Sequence, residues 1–181
     1  MQDTGIVRRI DELGRVVIPK ELRKTLRIRE GDPLEIYTNK DELVLKKYSP
    51  ITAVNEHVEA VAKGLNELFD KPCIITDNDH VIYASGAKNK DAVGKQITAD
   101  REMVLKERKS VMACGSDGGK IVQVIRGEDV QSENQIIVPI ISGGDCYGSV
   151  TVFDTDKTSR FTPSDVKLVK LGASFLSKQF E

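Results

Sequence analysis

The sequence predicts an α+β protein in two folding units, a small strand-rich one over 1–50 and a larger one over 51–181. Short apolar runs separated by turn residues fill 4–47, and Tyr48-Ser49-Pro50 interrupts that pattern. Beyond it, two helix-like segments bracket a series of strand-like runs. With 39% hydrophobic and 30% charged residues in 181, the composition is that of ordinary globular protein.

In the first unit, 5–10 and 15–18 read as strands joined by the turn-forming Asp11-Glu12-Leu13-Gly14. Pro19 can open a helix, because its missing N–H is not needed in a first turn, and a short helix is expected over 20–26. After the Asp32-Pro33 turn, Leu34 and Ile36 alternate with Glu35 and Tyr37. With Leu43-Val44-Leu45-Lys46 they predict a hairpin around Asn39-Lys40-Asp41. A segment of about 50 residues with short strands buries little of its own surface. Lacking a metal motif and a disulfide framework, it calls for an obligate dimer that shares strands between chains.

In the second unit a helix is expected over 51–69, with Val54, Val58, Val61, Leu65 and Leu68 alternately four and three apart. That is an a/d seam, suited to pairing with another helix. Strands follow at 73–77 and 80–84 around Asn78-Asp79, then a helix at 99–108 and strands at 110–113, 121–125 and 135–141. The last pairs across Ser142-Gly143-Gly144-Asp145 with 147–153. Thr162-Pro163-Ser164-Asp165 is a capping box opening a final helix with Val166, Val169, Ala173, Leu176 and Phe180 on one stripe. Leu168, Leu171 and Phe175 form a second stripe, so one face can lie on the sheet and the other on a partner helix. Val169, Ala173, Leu176 and Phe180 join the first seam as the expected oligomerisation set. This order of elements resembles GAF-type sensor domains, and PAS domains look alike. The resemblance implies an antiparallel sheet with flanking helices and a possible small-molecule ligand of unidentified kind.

Charge is polarised. Residues 8–29 hold eight cations against three acids, a local +5, so the remainder carries −6 in a chain of net −1. At about 100° per helical residue, Lys20, Arg23, Lys24 and Arg27 share one arc while Leu22 and Leu26 face away. Lys20–Lys24 and Arg23–Arg27 are like-charge pairs four apart, each costing roughly 0.2–0.5 kcal/mol, which phosphates can relieve. Strand alternation puts Arg8 on the face of Ile6 and Ile10, and Arg15, opposite Ile10, on that same face. Such a patch in a near-neutral protein suggests a polyanionic partner.

The stretch TGIVRRIDELGRVVIPKELRKTLRIREGDPLEIY, followed by LVLKKYSP, closely resembles the DNA-binding domain of AbrB-type transition-state regulators. The resemblance implies a swapped-hairpin β-barrel dimer and contact with double-stranded DNA through Arg8, Arg15, Arg23 and Lys24, with Arg9 and Lys20 flanking. Lys24 stands where arginine is common, and lysine supplies charge without a bidentate fork. The family's AT-rich, loosely related sites imply readout of DNA shape as well as base edges. A GAF-like domain joined to this one is similar to the two-domain sporulation regulators of that family, which activate or repress transcription. It further implies a homotetramer, with N-domain dimers joined through C-domain helices, acting on the nucleoid of the forespore. The alternative is an antitoxin-like DNA-binding module that also binds a protein partner.

Other functions lack parts. Cys73, Cys114 and Cys146 form no CxxC and read as reduced thiols. Gly115-Ser116-Asp117-Gly118-Gly119-Lys120 is one residue short of a phosphate loop and reads as a glycine-rich turn. With His57 and His80 the only histidines and no nucleophile–base pair evident, no enzyme and no cofactor are expected. The chain has no apolar run of membrane-spanning length and no signal-type start, so a cytoplasmic protein is expected.

Overall fold

The computed structural model describes residues 4–86, 90–127 and 132–180. Its contacts divide it into two compact units, Met1–Tyr48 and Ser49–Glu181.

In the first unit, helix α1 (Lys20–Thr25) is followed by a hairpin of β1 (Leu34–Asn39) and β2 (Glu42–Lys47). The hairpin register runs from Leu34↔Lys47 to Asn39↔Glu42, so the turn is Lys40-Asp41, with Lys40 at φ +51°. Pro19 lies just before α1 as its N-cap rather than in its first turn, and its carbonyl accepts the Arg23 N–H at 2.9 Å. The helix ends in a Schellman motif: Ile28 N–H bonds to Arg23 O and Arg27 N–H to Lys24 O. Arg27, at φ +54°, occupies the left-handed position and so leaves the helical arc expected for it. The expected strands at 5–10 and 15–18 have no ladder within the chain. Among the described residues no buried hydrophobic side chain precedes Ile51, while Val7 (84%), Val17 (74%), Ile10 and Val16 are exposed. A strand needs a neighbour, and the described residues of this chain offer these segments none.

The second unit is a five-stranded antiparallel sheet of order β4-β3-β7-β6-β5. Its strands are β3 (Cys73–Thr76), β4 (Val81–Ala84), β5 (Val111–Cys114), β6 (Asn134–Ser142) and β7 (Asp145–Asp154). Helices α2 (Pro50–Ala53), α3 (Asn55–Phe69) and α5 (Pro163–Ser177) contribute to the core on one face, where Ile75, Ile136, Val138, Val150 and Val152 meet Val58, Leu65, Val169 and Leu176. Helix α4 (Ala99–Glu107) contacts β7, and its Arg101 bonds to Thr151, the strand residue between Val150 and Val152. The expected helix 51–69 is broken at Val54, which closes α2 and opens α3. The apolar run 121–125 joins no sheet. It is bonded along 96–98 instead, with Val124 O accepting from Thr98 N and Gln96 O from Arg126 N.

Two glycines set the packing. At Gly148 an added Cβ would fall 1.9 Å from Thr76 O, so the bulged start of β7 can approach β3 only without a side chain. At Gly172 it would meet Val61 Cγ1 at 3.0 Å, which sets how closely α3 and α5 meet. The capping box at α5 is formed: Asp165 Oδ2 accepts from Thr162 N, and Thr162 Oγ1 from Asp165 N. Among the described residues no helix is long and apolar enough to cross a membrane.

The seam expected for self-association is largely used within the chain. Val58, Leu65, Val169, Ala173 and Leu176 are buried in the chain's own core, and Val54, Val61 and Phe180 pack against it. Heptad spacing marks an apolar face but not its partner, and here the partners are α3, α5 and the sheet of one chain. Of that set only Leu68 is fully exposed, whereas the second stripe of α5, Leu168, Leu171 (69%) and Phe175, faces outward.

Asp70 caps α3 in the left-handed region at φ +51°, and it also sets a negative charge at a helix C-terminus. Asp70→Gly should relieve both and raise stability by about 1 kcal/mol, read as a higher melting temperature of the second unit.

Candidate nucleic-acid interface

The cations of the first unit are presented by a turn and a helix. At the turn, Asp11 N–H donates to Arg15 O at 3.1 Å and Gly14 N–H to Asp11 O at 3.0 Å, with Gly14 at φ +75°. A turn closed by a left-handed glycine joins antiparallel segments. One carboxylate organises it: Asp11 Oδ1 accepts the N–H groups of Leu13 (3.0 Å) and Arg15 (2.8 Å), and Oδ2 accepts Arg15 Nε–H at 2.8 Å. These bonds, first the Arg15 backbone donor and then its side chain, hold the Asp11 carboxyl below its ordinary value.

Asp11 therefore orients the Arg15 guanidinium, a role that the turn composition alone did not disclose. A readable signal was an aspartate at the turn's first position, four residues before an arginine. The pairing also moves the expected register by one residue, since Arg15 lies opposite Asp11 and not Ile10. Arg8 Nη1 donates to Val7 O at 3.1 Å.

On α1, Lys20, Arg23 and Lys24 are all exposed, while Leu22 is half-buried on the other side. Lys47 fixes the end of this helix to the hairpin: its Nζ donates to Arg27 O at 3.2 Å and pairs with Asp32 Oδ2 at 3.0 Å. Arg8, Arg9 and Arg15 are exposed as well, so the six cations expected to bind DNA are all open to solvent. Each is open to a phosphate, and an arginine fork has the geometry to reach a base edge.

Chemistry of other kinds has little to build on. Burial pushes the Cys73 thiol up to about 12, which makes it unreactive. Among the described residues no cluster of His, Cys, Asp and Glu could hold a metal ion. In the glycine-rich turn, Gly119 N–H bonds to Cys114 O, while Lys120 pairs with Asp100 at 2.7 Å.

Comparison with known proteins matches both units. Residues 53–181 match the family model for the C-terminal region of stage V sporulation protein T, described as a transcription factor. Residues 7–53 match the family of MazE, the antidote-toxin recognition bacterial antitoxin. The chain is 42% identical to stage V sporulation protein T of Bacillus subtilis over 100% of this chain and 99% of that protein. It is 64% identical to the transition state regulatory protein AbrB of Bacillus subtilis over 28% of this chain and 52% of that protein. In fold, it is similar to the GAF domain of an Acinetobacter phosphoenolpyruvate-protein phosphotransferase. That likeness has a TM-score of 0.57 at 13% identity and covers 90% of this chain and 94% of the other.

The Asp11 contact makes a pH prediction. A carboxyl lowered in the folded state contributes stability that is fully present above its unfolded value and lost as pH falls through the folded one. An NMR titration of Asp11 should give a midpoint below the ordinary 3.8. Arg15→Ala should raise it only partway, because the backbone donor at residue 15 remains.

Proposed function

The chain belongs to the stage V sporulation protein T family of transcription factors, and on that premise we propose that it regulates sporulation genes by binding double-stranded DNA through its first unit. It acts in the cytoplasm, on the nucleoid of the forespore. The observation that carries this reading is the exposed cationic surface of Arg8, Arg9, Arg15, Lys20, Arg23 and Lys24 on a unit whose apolar residues are uncovered. A second copy would cover them by strand exchange and would duplicate the cationic surface along the duplex. Arg15, oriented by Asp11, reads base edges; Arg23 contributes a second fork; Arg8, Arg9, Lys20 and Lys24 bind phosphate. Few direct base contacts suit AT-rich sites recognised partly by groove shape and deformability.

The second unit joins dimers into a tetramer and senses a small molecule. Support for assembly comes from the outward stripe Leu168, Leu171 and Phe175 on α5, with Leu68 on α3 also uncovered. Two DNA-binding dimers held together gain avidity on one duplex. The antitoxin reading is favoured by the match over 7–53. It requires a tail free to wrap a toxin, whereas residues from Ser49 onward fold around a sheet of their own.

Arg15→Ala should cost roughly 1–3 kcal/mol of binding to a specific site, the value of a bidentate base contact. Lys20→Ala should weaken all sequences alike and reduce the salt slope by about one unit. Titrations at two salt concentrations check both, and unchanged affinity in the two variants would refute this surface as the DNA site. Leu171→Lys should divide the tetramer into dimers in sedimentation velocity while the melting temperature of the second unit holds; an undivided tetramer would remove α5 from the interface.

A further inference from the structure

The second unit encloses a charge with no ion-pair partner among its described residues. Arg101 has no exposed surface and heads the fully buried side chains in size. It stands in the first turn of α4, after the Thr98 N-cap, where the helix dipole disfavours a cation. Its Nη1 donates to Thr151 Oγ1 at 2.9 Å, a neutral partner. Nε and Nη2 have no acceptor among the described residues. Burial pulls the guanidinium down to about 9. The neighbouring acid, Asp100, is paired outward with Lys120.

The two unpartnered donors define a geometry. Nε–H and one Nη2–H lie along one edge of the guanidinium plane, parallel and spaced for the two oxygens of a carboxylate. Thr151, which takes the remaining corner, lies in register between Ile74 of β3 and Ile137 of β6. Val104, one turn along α4 from Arg101, packs with Val122 and Ile137, an apolar cluster that reaches the strand partner of Thr151. The nearby hydroxyls of Thr76 and Ser149 bond to each other at 2.9 Å. A desolvated arginine with a free fork beside an apolar cluster is complementary to an anion with an apolar body.

We infer that Arg101 anchors a buried site in the second unit for a small carboxylic acid, held by the Nε–Nη2 edge with its apolar part against Ile137 and Val122. The inference deepens the small-molecule sensing proposed above and rests on that reading only for its regulatory consequence. Binding and sensing are therefore measured separately.

The test uses the full-length protein with 15N-labelled arginine, titrated with acetate and isobutyrate, and with isobutyramide and inorganic phosphate for comparison. A saturable downfield shift of the Arg101 Nε–H resonance, with a rise in the melting temperature of the second unit, is expected for the acids and not for the amide. In Arg101→Lys, which keeps the charge and loses the fork, affinity should fall about tenfold or more. If that variant does not fold, the wild-type resonance alone decides. No saturable shift with either acid overturns the site, and a response to phosphate alone overturns the carboxylate assignment. DNA affinity measured with and without isobutyrate then tests sensing: binding at Arg101 with unchanged DNA affinity refutes the sensor reading and leaves the site standing.

Discussion

Apolar side chains left in water cost free energy in proportion to their area, and residues 4–48 leave many uncovered. Covering four such side chains contributes roughly 6–12 kcal/mol, as much as the whole stability of many small domains. Val7, Ile10, Val16 and Val17 alone make such a set. The first unit therefore has helix, turn and hairpin but, among its described residues, only Pro19 buried. Its cations depend on that deficiency, because the turn that aims Arg15 is flanked by the segments that await a ladder. The same limit that makes the unit incomplete requires that its binding surface come in pairs.

Local signals in the sequence are legible where the chain makes its own contacts. Alternation at Leu34–Tyr37 and the proline before Lys20 located the hairpin and α1, and the capping box located α5. Nonlocal choices were less legible. Residues 121–125 are β-branched at four of five positions, as a strand's often are, yet their backbone bonds run to 96–98, a pairing that no local pattern encodes. The Arg15 register was misplaced by one residue because it depends on a carboxylate, Asp11, that substitutes for a ladder bond.

The α5 helix shows a different limit. Its two stripes were visible as periodicity, but periodicity identifies faces and not what covers them. The Val169–Leu176 stripe lies in the core of its own chain, and the Leu168–Phe175 stripe is the one left over. Arg101 was hidden for a similar reason. It lies in a polar-looking helix, Ala99–Glu107, whose sequence gives no apolar face, so nothing marked a residue of that charge as buried.

The missing interior of the first unit also bears on timing. If a second chain completes the fold, the concentration of finished DNA-binding units in the dilute regime rises as the square of chain concentration. Occupancy of target sites would then respond to synthesis as a threshold rather than in proportion. If the second unit joins chains as proposed, tethering would moderate this, because chains already joined meet at a high effective concentration. The threshold would then be set by the strength of that second contact, without any change in the residues proposed to touch DNA.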